Sequence, residues 1–570
     1  MNKTKFGSIY FPIIFYSVVS IYYVYYQSSQ VISLWDFTNY TDLAVRILHG
    51  QIPYVEIPLY TQPGTFIELA ASMFIFGKNI YAVYFVILLK QFLIGFILST
   101  LFSQLFKNTI FDKLIIKLIW LLLFALMSPW SVVPQNTYDA DLAVALLVAI
   151  FLLIKYENYN SPNTTLKHTV NIVIVLIITY YPFFFKQTSG LVWLVMMHLY
   201  FIFTFVRSRR PNFLYLIVID SFLVLIFSFL EFNYKLVSNW WLWAIQKPLE
   251  NRYTPNMTPF AQLERLMEYE NTYLTIIFVS IIFLVVLRKF SFRKSYFVFI
   301  VTGLSIIVFN FLRVSSLKSG IFIIDWNLLL VPSIFLVLAT SLLLNIFSDQ
   351  SIKIKVIIAS TVFTLMANFL SQGVLGSSYG FFQLYLLLIL LSLIPLINSI
   401  SKQNWTLVKL FAILYVPILF SSTVVYYSNS KIRMSYVRFD ESVEKYPTLY
   451  SWIGTPGSYL KETQTGIDLF EKYIKKGRTA VWPGEDPVSL FSSAIPSTQV
   501  SISDSTTNPY YNDVDKWLKD QNIEYIILKS RLHTPGQHQI SIDKLEQAAK
   551  NFVRIEKQGV YFVLERKLSN

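Results

Sequence analysis

Runs of about twenty mainly apolar residues, each long enough to cross the hydrocarbon core of a bilayer as a helix, recur along this chain as far as residue 427. About thirteen can be drawn, with cores at 6 to 26, 80 to 106, 114 to 130, 141 to 155, 169 to 185, 190 to 206, 212 to 230, 272 to 287, 295 to 312, 320 to 346, 353 to 370, 380 to 399 and 407 to 427. A chain patterned this way reads as an α-helical polytopic membrane protein. Composition agrees, with 55% hydrophobic and 14% charged residues against the roughly one quarter charged that soluble chains carry. Disordered, collagen-like and coiled-coil classes need charge, glycine periodicity or heptads that are not here. Cysteine is absent, which excludes disulfides, cysteine-ligated zinc and thiolate nucleophiles.

The net charge of +14 would suggest nucleic acid in a soluble protein. Here the basic residues fall in short loops between apolar runs, where Lys and Arg fix topology and meet anionic headgroups, so no nucleic-acid partner is expected. Lys3 and Lys5 flank the first run and no small-residue cleavage motif follows it, which reads as an uncleaved anchor with a cytoplasmic N-terminus. Alternating sides from there puts Lys107, Lys113, Lys117, Lys155, Lys167, Arg207, Arg209, Arg210, Arg288, Lys289, Arg293, Lys294, Lys353, Lys355 and Lys402 inside. The outer loops receive Asp36, Asp42, Glu56, Glu68, Asp139, Glu250, Glu264, Glu268 and Glu270. The expected location is the plasma (inner) membrane, multi-pass, with outer loops at 27 to 79, 131 to 140 and 231 to 271, and an odd number of spans places the C-terminus outside.

The expected division is a membrane region over residues 1 to 427 and a soluble extracytoplasmic α/β domain over 428 to 570. In the second, helical patterns near 466 to 476, 511 to 521 and 541 to 551 alternate with strand patterns at Thr479 to Trp482, Glu524 to Leu528 and 558 to 565. The Gly454-Thr455-Pro456-Gly457 segment is a turn, with no phosphate-binding fingerprint around it.

Candidate chemistry concentrates in the outer loops. The first runs from Trp35-Asp36-Phe37 through Asn39-Tyr40-Thr41-Asp42 to Gly50, then Pro53-Tyr54, Gln62-Pro63-Gly64 and Phe76-Gly77. Apolar positions at 40 to 48 have helical spacing, so Asp36 stands at or near a helix N-terminus, where a capping carboxylate is favoured. The second outer loop offers Asp139 and Asp141 ahead of a span, as helix caps or as phosphate or metal ligands. Lys186 interrupts an apolar stretch before Gln187-Thr188-Ser189-Gly190; it either snorkels to headgroups or serves function, since ionisable groups at membrane depth are costly. Arg313 and Lys318 lie in an outer loop against the inside bias, near Asp325, and read as either a neutralising pair or a lipid-phosphate contact. Trp240, Trp241 and Trp243 read as an interfacial anchor. His49, His168, His198, His533 and His538 show no metal-ligand pairing beyond the loose His533 and His538, and read as surface residues.

The order Asp36, Tyr40, Ala44-x-x-x-Leu48-x-Gly50, Pro53-Tyr54, then Pro63-Gly64 opening a helix that ends Phe76-Gly77 resembles the first external loop of the class C glycosyltransferases. These are membrane enzymes related to protein mannosyltransferases and lipid A aminoarabinose transferases. The resemblance implies a polyprenyl-phosphate sugar as donor, a lipid or glycan as acceptor, Asp36 as catalytic base, Asp139 near the donor, sometimes through a divalent metal, and Lys186 on the leaving phosphate; Arg313 stays a phosphate-binding candidate by its position alone, with no family role transferred to it. The sequence departs from the family at Phe37, where members commonly have Glu, and at Gln62, where many have Lys. The implied activity is that of an inverting hexosyl- or pentosyltransferase in cell-envelope glycan biosynthesis, because one base with direct displacement inverts the anomeric centre and a phosphate leaves without a general acid. Asp42 is expected to tolerate Asn, being on another face of the same helix.

Rival readings are a lipid-linked glycan flippase or transporter, and an O-antigen polymerase or ligase. Transporters place polar groups at the midplane on broken helices, whereas the acids here sit in outer loops. Polymerases and ligases carry their large loop between late spans. The topology is testable with reporter fusions: cytoplasmic signals at residues 160 and 290 and an exported signal at 440 are expected. A cytoplasmic signal at 440 would overturn the odd-span arrangement.

Overall fold

The computed structural model describes residues 34–105, 138–156, 165–209, 211–247, 351–372, 457–482, 487–497, 518–530 and 549–567, with scattered helical positions at 14–21 and 384–391. The expected spans at 114–130, 272–287, 295–312, 320–346 and 407–427 lie outside them, as do Arg313, Lys318, Asp325, His533 and His538. The described chain is mostly helical. In the first part, α1 (Leu34–Leu48), α2 (Gly64–Phe76), α3 (Ile80–Leu105), α4 (Tyr138–Tyr156), α5 (Thr165–Tyr180), α6 (Gln187–Ser208), α7 (Asn212–Tyr234) and the short α8 (Leu236–Trp240) follow in order. A π-helical turn continues α8 over Trp241–Gln246, and α9 (Ile352–Gln372) packs along α6.

Among the described residues, three segments are long and apolar enough to cross a membrane: Ile80–Leu101, Gln187–Ser208 and Asn212–Tyr234. Their surroundings differ. Helix α7 turns Phe222, Leu225, Phe229 and Phe232 outward, the last 91% exposed, a surface that suits lipid and would be an aggregation patch in water. Helix α4 is the opposite, with Leu142, Ala143, Leu146, Leu147 and Ile150 all buried at the centre of the bundle.

Two glycines let α2 and the α5–α6 hairpin close on one another. The Gly64 amide donates to the Phe184 carbonyl at 3.0 Å, and a Cβ at Gly64 would lie 2.6 Å from that same oxygen. At Gly190 a Cβ would lie 2.5 Å from the Phe183 Cα, so the first turn of α6 packs directly on the 181–185 turn that precedes it. Trp193, one turn further along α6, is fully buried and donates to the Ile178 carbonyl at 2.8 Å. The α5–α6 hairpin is therefore fixed at its tip, and α2 is docked onto that tip.

The last part forms a four-stranded sheet of order β1-β2-β4-β3, from β1 (Thr479–Trp482), β2 (Tyr525–Lys529), β3 (Phe552–Gln558) and β4 (Tyr561–Arg566). β1 pairs parallel with β2, and the other two pairings are antiparallel. Helix α10 (Gly457–Ile474) packs on the sheet, and a short helix α11 (Val488–Phe491) follows β1. The sequence reading ends a helix at 551 and has no strand at 552–558, whereas β3 runs there as an edge strand. Its residues from Val553 to Gln558 are exposed or only half-buried, so it lacks the two-residue alternation that identifies a half-buried strand.

The close approach at Gly190 gives a direct test. Gly190→Ala should lower the unfolding temperature in detergent, as overpacking of this kind costs about 1–3 kcal/mol. Unchanged melting would mean that α6 and the turn before it separate freely.

Candidate active site

Lys186 is the N-cap residue of α6, extended at φ −149 and ψ 123. That conformation turns the side chain off the helix axis and into the protein, where it is only 5% exposed. Its ammonium donates to Asp139 Oδ1 at 2.6 Å. Lys186 is thus not a residue snorkelling to headgroups. Asp139 comes from the first turn of α4, the same turn that carries Asp141. Because α4 begins at Tyr138, neither aspartate caps it, which corrects the capping alternative.

Asp141 faces a different lysine. Lys90, buried in the middle of the apolar helix α3, ion-pairs with Asp141 and lies 2.9 Å from Glu68 Oε2 on α2. The Tyr181 hydroxyl donates to the other Glu68 oxygen at 3.0 Å. Two lysines therefore serve three carboxylates, and each aspartate of the α4 turn is directed to its own ammonium. Sequence reasoning passed over Lys90, Tyr181 and the partnership of Glu68. The available signal was one ionisable residue within a long apolar run, which is costly unless paired.

Asp36 lies within α1, two residues after Leu34, the first residue described there. Asn39, three residues on, shares that face of the helix. Its amide donates to the Tyr60 hydroxyl at 3.0 Å, and Gln187, the neighbour of Lys186, donates to the Tyr60 carbonyl at 3.0 Å and to the Ala244 carbonyl at 3.1 Å. A polar link thus runs from the Asp36 face of α1 through Tyr60 to the residue beside Lys186. Of the tryptophans in the expected anchor, Trp240 meets the Phe183 ring edge-on at 6.4 Å while Trp241 is 56% exposed.

Asp42 is not the neutral control that its helical position suggests. It is 1% exposed, accepts from Arg46 Nε at 2.8 Å and also from the Ser489 hydroxyl of α11. Arg46 in turn donates to the Pro496 carbonyl at 2.8 Å, and Lys78 donates to the Ser489 carbonyl at 3.0 Å and to that of Ser492. Burial lowers the Lys78 pKa, with the Glu471 carboxylate opposing. The segment at 488–496 therefore sits on the far side of α1 from α2 and joins the site's helix to the sheet.

Asp139 and Asp141 do not fit a shared cation. Each carboxylate is directed to an ammonium rather than to the other, and among the described residues no three His, Asp or Glu side chains converge as ligands. Of the histidines, His168 hydrogen-bonds the Tyr215 hydroxyl at 2.7 Å and His198 lies 3.4 Å from Asp220, which accepts from Tyr180 at 2.5 Å.

No described protein family and no curated protein matches the sequence. Compared as a whole structure, the chain is similar to the archaeal oligosaccharyltransferase AglB from Archaeoglobus fulgidus in complex with an inhibitory peptide and a dolichol-phosphate, with TM-score 0.47 and 11% identity, covering 97% of this chain and 73% of that one. It is also similar to ArnT from Cupriavidus metallidurans bound to undecaprenyl phosphate, with TM-score 0.40 and 10% identity, covering 97% of each chain.

The Lys90 network predicts a specific pattern of stability. Lys90→Met leaves Glu68 and Asp141 without their cation and should cost about 3–5 kcal/mol, read as loss of folded protein in detergent. Adding Asp141→Asn should restore part of it. A single variant as stable as the parent would show that the two carboxylates are neutralised by other means.

Proposed function

We propose that this chain is an inverting class C glycosyltransferase that moves a sugar from a polyprenyl-phosphate donor to a hydroxyl acceptor, on a glycan, lipid or protein, at the extracytoplasmic face. The motif order from Asp36 to Gly77 supports the family reading. The observation that carries the reading is the buried ammonium of Lys186, linked through Gln187, Tyr60 and Asn39 to the helix that bears Asp36.

In this reading Asp36 accepts the acceptor hydroxyl's proton as the oxygen attacks the anomeric carbon. The new bond from oxygen to that carbon forms as the bond to the phosphate oxygen breaks, and the electron pair stays on the phosphate. Positive charge grows on the sugar in an oxocarbenium-like transition state, and negative charge grows on the leaving phosphate. Lys186, fixed at the N-cap and withdrawn from water, is suited to that second charge, because an ammonium in a dry, preorganised site acts far more strongly than in solvent. No step is assigned to a metal. The contacts of α1 with Ser489 and Pro496 support a shared side for residues 34–48 and 488–496, and we assign both to the exterior together with the donor's sugar.

The experiment is transfer by the purified protein in detergent, from polyprenyl-phosphate sugars, with the anomeric configuration of the product read by NMR. Asp36→Asn should lower transfer by about two to four orders of magnitude with donor binding kept. Lys186→Met should cost about 3 kcal/mol in the barrier. Retained configuration in the product, or full activity in Asp36→Asn, would remove the single-base mechanism. Movement of lipid-linked glycan across vesicles without any transfer would favour the flippase.

A further inference from the structure

The ion pair between Lys186 and Asp139 bears on how the site lets go of its product, an inference that rests on the reading above. Asp139 Oδ1 lies 2.6 Å from the Lys186 ammonium, and the two side chains are 15% and 5% exposed. The carboxylate therefore occupies space beside the ammonium that a phosphate oxygen would take. Lys90 does not relieve this, since it is shared between Glu68 and Asp141. Among the described residues, the ion pairs and hydrogen bonds around the pair bring in Glu68 of α2, Lys90 of α3, Asp139 and Asp141 of α4, Tyr181 of the turn after α5 and Lys186. Among the described residues, three carboxylates stand there against two ammoniums.

Donor and spent lipid differ in charge at the atom that Lys186 would hold. The donor is a phosphodiester with one negative charge. Breaking the bond between the anomeric carbon and the phosphate oxygen leaves the electron pair on that oxygen, so the lipid becomes a monoester whose second ionisation falls near pH 6. A lone lysine would bind the spent lipid more tightly than the donor, and turnover would stall.

We propose that Asp139 is the residue that discriminates against the spent polyprenyl monophosphate: its carboxylate repels the more highly charged phosphate and re-forms the ion pair with Lys186 as the lipid leaves. Asp139 acts here on affinity and release, through Lys186.

The test uses the full-length protein in detergent and two probes, a polyprenyl monophosphate and its methyl diester, with binding measured by calorimetry in EDTA and again in magnesium. Asp139→Asn keeps the size and a hydrogen-bond acceptor for Lys186 but removes the charge. It should tighten the monoester about tenfold or more, as expected for a charge contact in a partly desolvated site, and the diester markedly less; in turnover, inhibition by added monophosphate should strengthen by a similar factor. Equal or weaker monoester binding in Asp139→Asn would overturn the proposal, and weakening confined to magnesium would make Asp139 a cation ligand instead. Wild-type protein supplies a second measure that does not depend on a variant folding. Its preference for monoester over diester should stay nearly flat as pH rises from 5.5 to 7.5, because the Asp139 carboxylate offsets the Lys186 ammonium, whereas a simple lysine site would strengthen that preference with the second ionisation, and such strengthening would also overturn the proposal. Wild-type protein that binds neither lipid would instead remove the glycosyltransferase reading itself.

Discussion

A charge taken out of water and away from lipid headgroups must be matched inside the protein, and the placement of Lys90 makes that demand the organising constraint of the described helices. Its ammonium lies within an apolar helix and is met by Glu68 from α2 and by Asp141 from α4. Such a cluster is weak evidence for stability, because desolvation offsets much of the attraction. It is strong evidence for geometry. Separating α2, α3 and α4 would leave at least one of these charges buried and unmatched, so the three move as a unit. With α2 fixed, Gly64 is held against the Phe184 carbonyl, and with α4 fixed, Asp139 is held against Lys186. The candidate site thus inherits its dimensions from an ion cluster that takes no part in the chemistry assigned to it.

How much of this could be read beforehand varies with the kind of signal involved. Membrane helices announce themselves through length and hydropathy, so the segments around 80, 190 and 212 were legible from sequence. Strand β1 was legible too, because Thr479–Trp482 is a compact apolar run. Strand β3 was not, since its exposed, charged residues follow no two-residue period and only pairing with β4 makes it a strand. The aspartates at 139 and 141 stood out as a pair, but sequence gives no means of deciding which lysine each would meet. That depends on the rotation of α4 about its axis, which is set by the apolar packing of Leu142, Leu146 and Ile150.

Asp42 is the clearest case of a residue whose meaning is tertiary. Its helical position separates it from Asp36, and from sequence alone it is expected to tolerate Asn. In the folded chain its side of α1 is covered by the segment at 488–496, and Asp42 becomes the centre of a buried contact with Arg46 and Ser489. The helix assigned the base is therefore enclosed between the bundle and the sheet. Two interfaces rather than one restrict its tilt, which is the form of preorganisation that a positioned carboxylate requires.

That enclosure sets an order on biosynthesis. Arg46 finds its carbonyl partner in Pro496, a residue 450 positions later in the chain. While a ribosome is still extending the polypeptide, the packing of α1 on α2 can form, but the face that carries Asp42 and Arg46 stays bare until the segment at 488–496 has been made and reaches it. A shortened chain would leave Asp42 and Arg46 open to water and α1 held on one flank only. Completion of the last portion is accordingly a condition for a finished first loop, so that a truncated molecule carries every candidate residue of the site and still lacks the wall that confines one of them.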